Sequence, residues 1–322
     1  MLQRIDISHK TVIFIAVFIL GVWVTYLIRD LLIMIFIAII LMSALSPLVR
    51  IFIKLKFPKI LAIGLTYVIM VAILAGVLAG LLPPLIEESS KFIANFPALL
   101  SQLLNITNFD KSILQSELSS ISKNAFSITI KALDNILAII FLLVVTFYLL
   151  SERENLESRI PTLFVGNEER AKLLIIKIEE KLGSWLRGQI FLSLIIGVLS
   201  YIGLTLLNLP YALPLALFAG IMETVPVIGP IISAIPAIIL ALTISPILAA
   251  GVAVLYFVIQ QLENSLIVPQ VMQRAVGLNP LFVILAIAVG SRLLGIGGAL
   301  LAVPFAVVVQ IIVAHVIESR KI

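Results

Sequence analysis

Long apolar stretches recur along most of the 322-residue chain and constrain its fold more than any other feature. Several run for about 18 residues or more, which is the length a helix needs to cross a hydrocarbon core of about 30 Å. Hydrophobic residues make up 61% of the chain and charged residues 12%, whereas soluble domains carry about a quarter charged residues. The sequence therefore predicts an all-α, polytopic membrane protein whose main partner is the lipid bilayer.

The apolar stretches and the polar segments between them divide the chain into five parts. Short segments with polar residues at helical spacing predict amphipathic helices outside the membrane. The predicted parts are the first three transmembrane helices (1–83), an external amphipathic helical segment (84–135), a fourth transmembrane helix (136–150), a cytoplasmic amphipathic helix (151–188) and a transport core (189–322). Within this division, Pro83 and Pro84 are predicted to close the third span, and a fifth span is predicted to begin at Phe191.

Lysine and arginine set the predicted orientation, because these residues concentrate in short cytoplasmic loops of membrane proteins. With a cytoplasmic amino terminus, sixteen of the 22 basic residues fall on the inner side and five on the outer side. The remaining one, Arg292, lies inside an apolar segment. We therefore expect both termini to be cytoplasmic.

Two apolar stretches in the carboxyl-terminal part are too long for one ordinary crossing and are interrupted near their middle. Residues 212–242 contain Pro214, Pro226, Gly229, Pro230 and Pro236, and residues 281–317 contain the segment SRLLGIGG and a later proline. Non-helical backbone at membrane depth is tolerated where it is buried in protein or lines a wet cavity. Paired interrupted segments are the best sequence indication of a transport site, so we predict broken or re-entrant helices here.

The first interruption contains the candidate site. Pro226 and Pro230 each remove a backbone donor, so the carbonyls around 225–229 are expected to be unpaired and available to a cation, a hydroxyl or water. Gly229 allows close backbone approach. Glu223 lies beside the break, where loss of water favours the protonated acid.

Other candidate residues have both a functional and a structural interpretation. Glu223 could act in transport, pair with Arg292, or lie solvated at the interface; Arg292 could also bind an anion or reach the interface. Gln260, Glu263 and Asn264 could contact a polyol, although a helix-end role is at least as plausible for them. In the second interruption, the predicted packing or hinge residues are Gly295, Gly297, Gly298 and Pro304.

Several function classes lack the residues they require. The chain has no cysteine, and its two histidines, His9 and His315, stand near opposite ends of the sequence. No metal cluster or catalytic triad can be assembled from this pattern, so we predict neither an enzyme nor a bound cofactor. A nucleotide-binding loop is also missing from the sequence, and the +5 net charge indicates no nucleic-acid partner. Any transport against a gradient must draw on another gradient.

Four sequence motifs carry a resemblance to a known family. They are GIMETVPVIGPIISAIPA, ENSLIVPQVMQRAVGLNPLFVIL, GIGGALLAVPFAVVV and FYLLSERE. Together, and in their order along the chain, they resemble the autoinducer-2 exporter family of bacterial permease-like proteins. The resemblance implies a bacterial inner-membrane protein with about seven or eight membrane-embedded segments that forms a homo-oligomer. Some members are associated with export of the quorum-sensing signal, and others with exchange of sodium or lithium for protons.

Two functions follow from these observations. The first is export of a small polar solute, autoinducer-2-like, through a wet cavity lined by carbonyls, amides and Glu223. The alternative is a sodium (lithium)/proton antiporter in which Glu223 alternates between a monovalent cation and a proton. The alternative is weakened because Glu223 is the only deep carboxylate predicted from the sequence.

Overall fold

The computed structural model describes residues 9–107, 136–164, 167–226, 228–272, 277 and 279–319. These residues form helices and turns and include no strand, which confirms the predicted all-α class. The helices are α1 (His9–Leu27), α2 (Arg29–Lys54), α3 (Lys59–Thr107), α4 (Ile136–Arg159), α5 (Glu168–Leu206), α6 (Ala212–Met222), α7 (Ile228–Ile244), α8 (Pro246–Leu262), α9 (Val268–Met272) and α10 (Pro280–Ser319). A 3-10 turn (Pro161–Leu163) follows α4, and a π-helical turn (Glu263–Ile267) joins α8 to α9.

Helices long and apolar enough to cross a membrane recur along the chain, as predicted. Five such stretches occur among the described residues: Arg29–Lys54, Lys59–Phe92, Glu168–Leu206, Pro246–Val271 and Leu281–Ile317. Three shorter apolar helices accompany them, Ile13–Leu27, Ala212–Met222 and Ile228–Ile244. Most of the large apolar side chains of α1 are exposed, as expected for a helix surrounded by lipid. These features agree with a polytopic membrane protein.

Two helices without an internal kink run well beyond the thickness of a bilayer. The 49 residues of α3 and the 39 residues of α5 correspond to lengths of about 73 and about 58 Å at 1.5 Å per residue. Both helices therefore extend out of the hydrocarbon core, α3 through Glu87 and Lys91 and α5 through its charged first half.

These two helices correct two predicted boundaries. Pro83 and Pro84 do not close the third span, because α3 continues through them to Thr107. The predicted cytoplasmic helix and the predicted fifth span are parts of one helix, because α5 has no break near residue 188. In an apolar solvent, a break would leave backbone amides and carbonyls with neither water nor a helical partner. Continuing the helix keeps these groups paired, and this gain outweighs the loss of the two proline N–H donors. The rest of the predicted external segment, 108–135, lies outside the described residues.

Helix α5 lies at the centre of the fold and packs against α2, α6, α8 and α10. Its approach to α2 is very close, since a Cβ on Gly183 would lie 2.3 Å from the Ser43 carbonyl oxygen. That carbonyl lacks its helical partner because Pro47, one turn later, has no amide hydrogen. Arg187 compensates by donating from Nη1 to the carbonyls of Ser43 at 3.3 Å and Ala44 at 3.1 Å.

Candidate functional site

The helix break predicted in the first long stretch is present. Helix α6 ends at Met222 and α7 begins at Ile228, with non-helical turns between them. Here Gly229 is required, because a Cβ at this position would lie 1.9 Å from the Met222 carbonyl oxygen. Since α6 has 11 residues, its length is about 16 Å, too short to cross a bilayer alone. Helices α6 and α7 therefore form a helical hairpin, which we call the first hairpin.

The carbonyls of Val225 and Pro226 in this turn are paired, so the prediction of free oxygens is wrong for these two residues, while Val227 lies outside the described residues. The Gly229 amide donates to the Val225 carbonyl at 2.9 Å, and the Ile228 amide donates to the Pro226 carbonyl at 2.8 Å. The Ser233 hydroxyl donates to the Pro230 carbonyl at 3.0 Å. The tight turn thus satisfies these oxygens with its own donors and leaves side chains to supply the chemistry of the site.

Glu223 is the buried acid of this site. Its exposed fraction is 1%, and its backbone carbonyl accepts a hydrogen bond of 2.9 Å from Gln189 Nε2 on α5. Its carboxyl faces that of Glu263, close enough for direct electrostatic and hydrogen-bonding interaction. Glu223 Oε2 is buried and has no hydrogen-bond partner among the described residues. The site is therefore a pair of acids, not a single acid beside free carbonyls.

Glu263 comes to this site from a different part of the chain. It is 4% exposed and is the first residue of the π-helical turn that follows α8. Gln260 Nε2 donates to Glu263 Oε2 at 3.1 Å and lies 3.5 Å from Asn264 Oδ1. Of the residues predicted for the site, the structure thus brings Glu223, Glu263 and Gln260 together, while the Asn264 side chain is exposed. Their role in transport stays a prediction.

Arg292 does not join this cluster. The predicted ion pair with Glu223 is wrong, because both residues are described and no salt bridge joins them. Arg292 lies exposed on α10, whereas Glu223 is buried. The partner of Glu223 is another acid, which the sequence pattern did not indicate.

The second long stretch is also interrupted, as predicted. Within α10, Leu294 (φ −133°, ψ 16°) and Gly295 (φ 61°, ψ −141°) leave the helical region. The two arms cross closely, since a Cβ on Gly298 would lie 2.0 Å from the Gly290 carbonyl oxygen. Gly297 has open space around it, and Pro304 is buried inside the second arm. We call this part of α10 the second hairpin; a hinge role for its glycines stays a prediction.

Three further polar residues near the first hairpin were missed by the sequence analysis. Ser193 and Ser200 on α5 and Tyr256 on α8 each have a buried hydroxyl oxygen without a hydrogen-bond partner in the described part of the chain. Spacing offered a signal that could have found them. Gln189 and Ser193 are four residues apart on α5, and Tyr256, Gln260 and Glu263 follow helical spacing on α8, so each set lies on one helix face.

A second buried acid lies elsewhere on α5 and has a full set of partners. Glu179 accepts hydrogen bonds from the Arg153 guanidinium and from the Ser46 hydroxyl, the latter at 3.2 Å. Arg153 also forms an ion pair with Glu157 at 3.7 Å. These contacts join α2, α4 and α5. We call this group the Glu179 cluster.

Comparison with known proteins places the chain among bacterial transporters. A sequence model of the family described as "AI-2E family transporter" matches residues 12–318. The "Putative transport protein YrrI" of Bacillus subtilis is 28% identical over 82% of this chain and 80% of its own length. The "Putative transport protein YueF" of the same bacterium is 26% identical over 86% and 82%. The "Putative permease PerM" of Escherichia coli is 23% identical over 72% and 68%.

Proposed function

Because this chain belongs to the AI-2E transporter family, we propose that it is a gradient-driven exporter of a small polar solute, autoinducer-2-like, in a bacterial inner membrane. The observation that carries the proposal is the buried polar cluster at the turn of the first hairpin, built on Glu223, Glu263, Gln189 and Gln260. Two buried acids without a counter-ion cost a membrane protein stability, and a transport role would explain why they are present. A solute with several hydroxyl groups would use the cluster.

The chemistry of the cluster favours a polar solute. Each buried polar group without a partner costs about 1–3 kcal/mol, and four such atoms occur among the described residues, on Ser193, Ser200, Glu223 and Tyr256. A hydroxyl-bearing solute would supply donors and acceptors to these atoms as it passes. An apolar solute would leave them unpaired.

The remaining parts of the proposal concern the setting of this site. We place the transport core in 189–322, because both hairpins and the polar faces of α5 and α8 lie there. The basic residues favour cytoplasmic termini. We further propose a homo-oligomer, as the resemblance of the sequence motifs implies.

Sodium (lithium)/proton antiport is the second candidate, and one observation favours it. The sequence offered Glu223 as the only deep carboxylate, but Glu263 is a second one and directly faces it. A group of three or more metal-binding side chains does not occur among the described residues. A weakly bound monovalent cation would therefore have to rely on this pair and on amide oxygens.

Flux into sealed vesicles containing the purified protein separates the two candidates. Autoinducer-2 and sodium are compared as solutes, each with and without an imposed proton gradient. We expect autoinducer-2 to move and the imposed gradient to change its rate. Movement of sodium alone would contradict the exporter and support antiport.

A further inference from the structure

The two buried acids of the first hairpin site lie close enough to bind a proton jointly. We propose that Glu223 and Glu263 share one exchangeable proton and that this acid pair is the proton-binding site of the transporter. The inference deepens the proposed function by naming the coupling ion and its two ligands. Its part in coupling rests on that function, whereas the shared proton can be tested without any solute.

Both acids are buried without a counter-ion in the described part of the chain. Glu223 is 1% exposed and Glu263 4%, and an ionised carboxylate out of water needs a compensating charge. Neither acid takes part in any salt bridge of the described residues. Two adjacent carboxylates without a cation would repel each other strongly, so such pairs hold one proton between them.

The polar and charged groups packed near the pair come from α5, α8 and α10. From α5, Gln189 presents a neutral amide, while Arg187 is used by carbonyls of α2. From α8, Gln260 presents a neutral amide to Glu263, and Tyr256 carries a phenol, which is neutral at physiological pH. From α10, Arg292 is exposed. The described groups around the pair thus supply no positive charge, and a proton is the remaining source of compensation.

The two acids lie on separate elements of the fold. Glu223 belongs to the turn between α6 and α7, and Glu263 belongs to the π-helical turn after α8. Turns of π type are rare and occur frequently at functional sites. A shift of the first hairpin relative to α8 would separate the carboxyls without unfolding either helix.

Such a shift links proton binding to conformation. When the carboxyls meet, one carboxylate oxygen takes up a proton from one side of the membrane, and the new hydroxyl donates to the opposite carboxylate. When they separate and both become hydrated, that O–H bond breaks and the proton leaves to the other side. No other bond changes.

Infrared difference spectroscopy tests the shared proton directly. The full chain is reconstituted in vesicles of phosphatidylethanolamine and phosphatidylglycerol, and the carbonyl stretch of protonated carboxylic acids is recorded at neutral pH. We expect one band from a buried protonated acid in the wild type. The band should disappear in the double variant and change its frequency in Glu223→Gln and in Glu263→Gln, because a lone buried acid stays protonated but loses its carboxylate partner. It should persist in Glu179→Gln, because Glu179 lies outside the pair and contacts Arg153 instead.

Three outcomes would overturn the inference. They are absence of the band from the wild type, survival of the band in the double variant, and an unchanged band frequency in either single variant, which would assign the proton to one acid alone. Size-exclusion profiles identify any variant that fails to assemble, and the other single variant then decides the result. A wild type that shows the band but moves no solute would support the proton site while contradicting the proposed function.

Discussion

The Glu179 cluster and the acid pair of the first hairpin are two solutions to the same problem, a glutamate buried in a membrane protein. Glu179 is surrounded by a guanidinium and a hydroxyl from two other helices. The Glu223 and Glu263 carboxyls lie beside each other, and Gln260 is the described side chain that donates to the pair. In the Glu179 cluster, Arg153 compensates the buried carboxylate and the contacts hold three helices together. In the acid pair, only a proton can compensate the buried charge, so the protonation of the pair can change during a transport cycle.

Removing the cation of the Glu179 cluster should give the largest effect. Arg153→Met leaves a buried carboxylate without its partner, which costs about 3 kcal/mol or more. We expect a clearly lower melting temperature in detergent. Arg159→Met, an exposed residue at the end of the same helix, is the matched control and should melt like the wild type. Equal melting of both variants would mean that the cluster does not hold the helices together.

Closing the space at the hairpin turn should give the next largest effect. Gly229→Ala forces a Cβ against the Met222 backbone, and overpacking of this kind costs about 1–3 kcal/mol. We expect lower thermal stability and loss of transport, because the turn carries Glu223. Gly76→Ala is the control, since a Cβ there has no neighbour within 4 Å. Unchanged transport in Gly229→Ala would show that the tight turn is dispensable.

Removing one unpaired hydroxyl should affect transport but not stability. Tyr256→Phe deletes a buried oxygen that has no described partner, so folding loses no hydrogen bond. A hydrogen bond to the solute is worth about 1 kcal/mol, so we expect about fivefold slower flux in vesicles. Tyr148→Phe, at a side chain that is 64% exposed, should transport normally. Equal rates for the two variants would remove Tyr256 from the path.

The smallest expected effect is on the stability of the acid pair itself. Glu263→Gln replaces one member by a neutral amide that keeps its hydrogen-bonding shape. We expect the free energy of unfolding to change by less than about 1 kcal/mol, because the wild-type pair already carries one proton. Chemical or thermal unfolding in detergent measures this. A loss as large as that of Arg153→Met would indicate that Glu263 is ionised and paired, like Glu179.

The same comparison shows what the sequence could and could not predict. The breaks at Pro226 and Gly295 were predictable, because proline and glycine act on their own backbone. The partners of Glu223 and Glu179 were not, because those contacts join distant segments and depend on the rotation of each helix. Arg292 looked like the partner of Glu223 on the basis of charge alone. The continuation of α3 through Pro83 and Pro84 was also missed. In water a helix can end at prolines because solvent pairs the freed backbone groups, whereas an apolar solvent favours an unbroken helix.

The most direct measurement of the central claim is the pH dependence of flux through the first hairpin site. Initial rates of autoinducer-2 movement into protein vesicles are measured across neutral pH for the wild type, Glu223→Gln and Glu179→Gln. The acid pair predicts that the rate changes with pH in the wild type and in Glu179→Gln, and becomes independent of pH in Glu223→Gln, which assembles normally. A Glu223→Gln protein that retains the wild-type dependence would contradict the account.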